Sequence, residues 1–295
     1  MSAMPTDSTE ANLERIRNIT LHSMDIAEMV DSDRSVEWKF HFADSIWWRE
    51  VKPFFYQPAD VATKILPGSR RPNVIAAMGG YYHMVPDGAP ANGKIVFNEI
   101  KEPAGFDLSA IRKTKRNMIR RGLRALRIER ITDPELLLGE GFKIYLDWEK
   151  RTNGVLVKRS DPQKYARWID ALVNHPHELI LGAFFENRLT AWIVARATGE
   201  RADLVKAFSD SEFNHLEPTS TLIYAYILIC GQNAQIKVAC DGLRSLKPSL
   251  EDYKSALGFR HVEYPAYIHL RRMIKPLVRR FLPAQYKRLM GEYAV

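Results

Sequence analysis

Two cysteines, Cys230 and Cys240, are all that the 295 residues contain. Both fall in apolar stretches, where a buried thiol is the expected state, and two thiols are too few for a disulfide framework or a structural zinc site. The eight histidines are scattered, and His175-Pro176-His177 has no partners at metal-ligand spacing, so no metal is expected. Long hydrophobic runs are also missing. The longest, Leu222 to Cys230, falls far short of the roughly 20 residues a membrane-spanning helix needs. The stretch Met1 to Glu10 is polar and lacks the apolar centre of a signal peptide, which makes the cytoplasm the expected compartment. Neither a Gly-x-Ser-x-Gly nor a Cys–His pattern occurs, so a covalent acyl-enzyme is not expected.

Acid is scarce in two places, and that locates the charge. Residues Arg112 to Arg130 hold nine Lys or Arg and one acid, Glu129; Leu270 to Met290 hold seven and none. Against an overall +8, these segments carry +8 and +7, so the remainder of the chain carries −7. A mildly acidic body with two basic segments suits a polyanionic partner: phosphate, nucleic acid or an anionic lipid surface.

Along the chain, residues 1–35 read as a polar leader with a short helix near Asn12 to Thr20. Residues 36–110 read as a partial N-terminal subdomain, rich in aromatics and turn formers, with strands at Asn73–Ala77 and Lys94–Phe97. A basic helix is expected over Asp107–Arg124 and a strand over Leu126–Ile131. Asp133-Pro134 and Asp161-Pro162 each pair an N-cap with proline at the first helical position, starting helices that end near Lys150 and Asn174. Three strands follow, Glu178–Phe185, Leu189–Ala195 and Asp203–Phe208, with turn formers between them, as in an antiparallel meander. Pro218 opens an apolar helix to Gln232, Ile236–Cys240 is a strand, Ser249 starts a helix, and Gly258-Phe259 opens the last strand. The Pro218 helix is a crossover, so the strand at Ile236 should lie parallel to that at Val205 and part from it at one end.

From Leu126 to Leu270 this order resembles the GNAT acyltransferase fold, with Tyr253-Lys254-Ser255-Ala256-Leu257-Gly258-Phe259 as its local anchor. The resemblance implies an α/β (α+β) domain over 111–270, a mixed, mostly antiparallel sheet flanked by helices around a thioester cleft. One departure stands out. Where typical GNAT acetyltransferases carry a glycine-rich pyrophosphate loop, Ser209 to Thr221 has no glycine and three acids, Asp210, Glu212 and Glu217. Thr219, Ser220 and Thr221 remain as donors at the helix start. Fem-type peptidyltransferases lack that loop as well. Their basic helix is similar to Ile111–Gly122 and their Lys-x-x-x-Gly signature to Lys254–Gly258, which makes residues 36–124 a reduced first half.

The implied activity is acyl or aminoacyl transfer to an amine or hydroxyl of a cell-envelope or polysaccharide acceptor. The donor is an acyl-CoA, an acyl-carrier protein or an aminoacyl-tRNA, all phosphate-bearing. Lys254 reads as an oxyanion or phosphate partner or else a surface lysine, and Tyr253 as a proton donor to the leaving group or a core residue. Asp241, at a strand's C-terminal edge, and Lys206, grouped by alternation with Leu204 and Phe208, complete the catalytic candidates; His215 and Glu217 are further base candidates. Arg116, Arg120 and Arg124, with Lys113 and Arg127, form one cationic stripe opposite Ile119, Leu123 and Leu126. In the tail, residues 271–295, an apolar stripe from Leu270 to Leu282 faces arginines and lysines, as in a helix lying on an anionic membrane or docked on its own domain, with Pro276 splitting it. Membrane contact through 270–290 would make the protein peripheral on the inner face. The alternative function is a non-catalytic module binding nucleic acid, tRNA included, through residues 111–130. Nothing in the sequence specifies an oligomeric state.

Overall fold

A computed structural model describes residues 8–35, 38–73, 79–152, 161–281 and 283–290. In chain order the elements are α1 (Ser8–Arg17), β1 (Ser23–Met24), α2 (Ile26–Ser35), β2 (Phe40–Ala43), β3 (Ile46–Lys52), β4 (Phe55–Pro58), β5 (Gly80–Met84), β6 (Gly93–Lys101), α3 (Lys113–Ala125) and β7 (Arg127–Arg130). Then come α4 (Pro134–Leu136), α5 (Phe142–Thr152), α6 (Pro162–Val173), β8 (Leu179–Phe185), β9 (Arg188–Thr198), β10 (Arg201–Ser209), α7 (Pro218–Gln232), β11 (Val238–Leu243), α8 (Pro248–Ala256), β12 (Arg260–Leu270), α9 (Ile274–Phe281) and α10 (Pro283–Met290). The strand expected at Asn73–Ala77 lies outside the described residues beyond Asn73.

Contacts sort the described residues into two units: 8–24, 99–242 and 253–259 in the first, and 25–98, 243–252 and 260–290 in the second. Residues 8–24 and 25–35 of the N-terminal stretch fall in different units.

The first unit holds strands in the order β11-β10-β9-β8-β7, antiparallel except for parallel β10 and β11, with β1 added parallel to β9. The two Asp-Pro devices work as expected: Asp133 and Asp161 accept from the amides of Glu135 and Gln163. α7 is apolar all round and buried along most of its length, as a crossover helix over a sheet must be. Its Leu222, Ile223 and Ile227 share one core with Ile119 and Leu123 of α3 and with Ile16, Ile19 and Leu21. Asn12 of α1 is 1% exposed. Its Nδ2 donates to Leu123 O (2.7 Å) and Leu126 O (2.5 Å), and its Oδ1 accepts from Ile128 N at 3.0 Å. α1 thereby satisfies the C-terminal carbonyls of α3, which an isolated helix end leaves orphaned.

Several boundaries differ from expectation for local reasons. The basic helix begins at Lys113, not Asp107. Asp107 caps a short 3₁₀ turn at Leu108–Ala110, after which the amide of Arg112 donates to Ala256 O (3.0 Å) and holds the chain extended. The strand expected from Ile236 starts at Val238, because Asn233 closes a turn by accepting from Ile236 N at its carbonyl and from Gln235 N at its side chain, both at 2.9 Å. Gly258, at φ 97°, ends the turn after α8 in the left-handed region, so the final strand opens at Arg260. Gly122 lies inside α3.

The second unit pairs strands in the order β2-β3-β4-β5-β12-β6 around Trp48, Tyr56 and Tyr81. Leu270 closes β12 and is not part of the tail helix. Pro276 does not break that helix either. It sits in the first turn of α9, where a missing N–H costs nothing. Among the described residues no helix is long and apolar enough to cross a membrane.

Candidate functional site

β10 and β11 pair only from Arg201↔Val238 to Asp203↔Cys240, although β10 continues to Ser209 and β11 to Leu243. The reason lies in β10. Its register with β9 slips between Leu204 (opposite Ala195) and Lys206 (opposite Val194), leaving Val205 as an extra residue. A bulge bends its strand and increases the local twist, so β10 turns away from β11 immediately after the last pair. The bulge also undoes the expected alternation. Leu204 packs into the core with α7, whereas Phe208 joins Trp192, Trp168, Tyr145 and Trp148. Lys206 and Phe208, both beyond the bulge, remain on one face; Leu204 does not share it.

Past the C-terminal ends of these strands the chain forms a pocket of about 370 Å³ lined by Lys115, Asn214, Glu217, Thr219, Ser220 and Tyr253. The turn after β10 and the first residues of α7 supply one wall, α8 after β11 supplies Tyr253, and α3 supplies Lys115. Ligands of open α/β sheets bind in such crevices, outside the carboxyl ends of diverging strands.

Four side chains in this pocket form one connected chain. Lys115 Nζ lies 2.9 Å from Glu217 Oε2, and Ser220 Oγ donates to the same oxygen at 2.7 Å. Ser220 Oγ is also 3.0 Å from Tyr253 OH. A hydroxyl has one proton, and that of Ser220 goes to the carboxylate, so Tyr253 donates to Ser220. Lys115 Nζ sits 5.0 Å above the Tyr253 ring, a cation–π distance. Burial pushes the Tyr253 phenol well above its ordinary pKa, with Asp241 and Glu217 adding to the rise and the Ser220 hydrogen bond opposing it. The phenol is thus held protonated, with its oxygen able to accept a further hydrogen bond.

The three acids that crowd the glycine-free turn each meet a cation, two of them sharing one arginine. Arg188 Nη2 reaches Asp210 at 2.9 Å and Glu212 at 3.0 Å, and Lys115 takes Glu217. Asp210 also caps the 3₁₀ segment Ser211–Leu216, its side chain accepting from the amide of Glu212. Glu217, at φ 55°, turns the chain into α7. Donors that could meet a donor phosphate here are Lys115, the Thr219 hydroxyl and the amides of Thr219 and Ser220, which precede the first i−4 bond of the helix, Thr221 N to Glu217 O.

The other residues singled out from the sequence are placed differently. Lys254 is 7% exposed, and its ammonium donates to the backbone carbonyl of Asp241 and lies 3.4 Å from that residue's Oδ1. The pair Lys254–Asp241 ties α8 to β11. Thr221 Oγ1 donates to Glu217 O (3.0 Å) and packs against Gly122. The Arg116 guanidinium is held by the carbonyls of Ser109 and Ile111, each at 3.1 Å. Arg120 is exposed on the outer face of α3, while Arg124 lines a separate open groove of about 400 Å³ with Arg15 and Arg127. His215, also exposed, has Nδ1 at 3.1 Å from Glu212 O. Among the described residues no group of three His, Cys, Asp or Glu is arranged to hold a metal ion.

Lys115 was not selected as a candidate from the sequence, although a signal was present. It stands four residues before Ile119, on the apolar side of α3, where a cation is expensive unless it has a task. Grouping the cations of the helix by charge alone drew attention to its exposed face instead.

No family model matches the sequence, and no curated protein sequence matches it. Solved structures do. The crystal structure of FemX superposes with a TM-score of 0.55 at 10% identity, covering 94% of this chain and 99% of that one. The C-terminal domain of a putative lysylphosphatidylglycerol synthetase from Agrobacterium fabrum superposes with a TM-score of 0.54 at 12% identity, covering 97% and 98%. The chain therefore has a GNAT-like fold of the kind seen in Fem-type proteins.

Proposed function

We propose that this chain is an acyltransferase that passes an acyl or aminoacyl group directly from a phosphate-bearing donor to an amine or hydroxyl of a cell-envelope or polysaccharide acceptor in the cytoplasm. The observation that carries the reading is the Tyr253–Ser220–Glu217 chain in a pocket at the N-terminus of α7, beside the parting of β10 and β11. In the transfer, the acceptor nitrogen or oxygen bonds to the donor carbonyl carbon, and the bond from that carbon to the leaving sulfur or oxygen breaks. With Lys115 and the Thr219 hydroxyl left to the donor phosphate, the amides of Thr219 and Ser220 suit the developing oxyanion. The Tyr253 hydroxyl turns its proton from Ser220 to the leaving group as that atom gains charge, and its oxygen takes up the proton lost by the nucleophile, with Ser220 and Glu217 orienting it at rest. No covalent enzyme intermediate is needed.

Acyl-CoA, acyl-carrier protein and aminoacyl-tRNA all bring the phosphates this pocket suits. The test is transfer itself: purified protein incubated with each donor and a panel of amino-sugar and lipid-linked acceptors, with products read by mass spectrometry. Transfer from one donor, reduced about 100-fold by Tyr253→Phe, is expected. Absence of product from every donor, together with salt-sensitive RNA or DNA binding, would replace the proposal with the nucleic-acid module. That second reading draws on the exposed cations Lys113, Arg120, Arg121 and Arg124 of α3.

A further inference from the structure

The geometry points to α9 as a docking helix for an anionic lipid bilayer. Met273, Leu277 and Phe281 are 72%, 51% and 68% exposed and follow one another at four-residue spacing, so they line one side of the helix. Ile274 and Val278 are half-buried, which leaves those three as the outward apolar line. Arg271, Arg272, Lys275, Arg279 and Arg280 occupy the other exposed positions apart from Pro276, and residues 271–290 hold seven Lys or Arg and no acid. The Arg280 guanidinium lies 5.7 Å from the Phe281 ring centroid, placing a cation beside the exposed aromatic.

This combination selects among occupants. A second copy of the same surface would set seven cations against seven, with no acid to relieve them. Nucleic acid would satisfy the arginines but leave three large apolar side chains in water. An anionic bilayer serves both: the apolar line enters the acyl boundary, and the cations meet headgroup phosphates through side chains long enough to snorkel. Each Lys or Arg near such a surface adds attraction that falls off within a Debye length, so binding is salt-dependent as well as apolar. No residue of α9 lines the α7 pocket, and the inference does not depend on the acyltransferase reading. If both hold, α9 brings the enzyme to the inner face of a membrane.

The experiment is co-sedimentation of the full chain with phosphatidylcholine vesicles, with and without phosphatidylglycerol. Wild-type protein should sediment only with the anionic vesicles. Leu277→Asp with Phe281→Asp should lower the partition coefficient at least about tenfold, and Arg279→Glu with Arg280→Glu should lower it and flatten its salt dependence. Circular dichroism confirms that each variant is folded, and Leu277→Gln provides a milder second apolar variant. Arg120→Glu with Arg121→Glu on α3 should leave partition unchanged. Three results would overturn the inference: sedimentation unaltered by both apolar variants, loss of binding to competing DNA with the apolar variants indistinguishable from wild type, or a dimer in solution that the apolar variants dissociate. Tyr253→Phe should bind vesicles normally, which separates failure of this inference from failure of the catalytic one.

Discussion

A Cβ placed on Gly122 of α3 would lie 2.1 Å from Thr221 Oγ1 of α7 and 3.0 Å from Leu216 O. The two helices touch backbone to side chain at that point, and the contact sets the approach that puts Lys115, two turns earlier on α3, within reach of Glu217. Helix propensity alone favours alanine over glycine by about 1 kcal/mol. Overpacking at so short a distance costs about 1–3 kcal/mol. Gly122→Ala is therefore expected to lower stability by up to about 2 kcal/mol in chemical denaturation. Adding Thr221→Ala should recover part of the loss, since it removes the nearer clash and leaves Leu216 O.

Lys115 and Glu217 are 14% and 21% exposed at their side chains, so their ion pair is neither fully screened nor fully desolvated. A double-mutant cycle with Lys115→Met and Glu217→Gln should give a coupling energy of about 1 kcal/mol, between surface and buried pairs. The single variants should reduce transfer more than they reduce stability. A coupling energy near zero would mean that the pair does not organise the pocket.

For Tyr253 the sign of the pH effect is set by burial, which raises its pKa above the ordinary 10.0. The neutral phenol is favoured in the folded state, so its contribution to stability is fully present below pH 10.0 and is lost as pH rises through the folded value. In alkaline difference spectra, Tyr253→Phe should remove a phenol that ionises late. Transfer activity should show no decline from this group through neutral and mildly alkaline pH.

Asp147 of α5 should respond at the opposite end of the scale. Burial works to raise its pKa, but the amide and hydroxyl of Ser211, both at 3.1 Å, and the Arg151 guanidinium outweigh it and hold the carboxyl below its ordinary 3.8. Its contribution is present above pH 3.8 and is lost as pH falls through the lower folded value. Hydrogen exchange of the 209–217 turn should accelerate in that acid window for wild type, and Asp147→Asn should remove the pH dependence.

Asn12 closes three backbone groups at once: the carbonyls of Leu123, in the last turn of α3, and of Leu126, its C-cap, and the amide of Ile128. Asn12→Ala orphans all three in a buried site and should cost about 3 kcal/mol, a large share of a domain's stability, measured by urea unfolding. A mere leader would show no effect.

Elements defined by local chemistry were legible in the chain. Asp-Pro caps, the turn formers between three apolar strands and the all-round apolar Pro218–Gln232 run each state their structure within a few residues, because capping, turn conformation and periodic burial act at short range. The succession of these elements was enough to indicate the fold. The site was less legible, because it depends on which faces meet. Alternation placed Leu204 with Phe208, but a bulge at Val205, invisible without its partner strand, put them on opposite faces and parted β10 from β11. Lys254, a lysine on a helix by sequence, becomes a clamp only when β11 presents Asp241. Lys115 and Ser220 become partners of Glu217 only because Gly122 lets α3 close on α7. Composition and period determined the elements of this protein. The charged residues took their roles from contacts between separate segments, more than a hundred residues apart in the case of Lys115 and Glu217, since an ammonium or a carboxylate acts according to the groups that surround it in space.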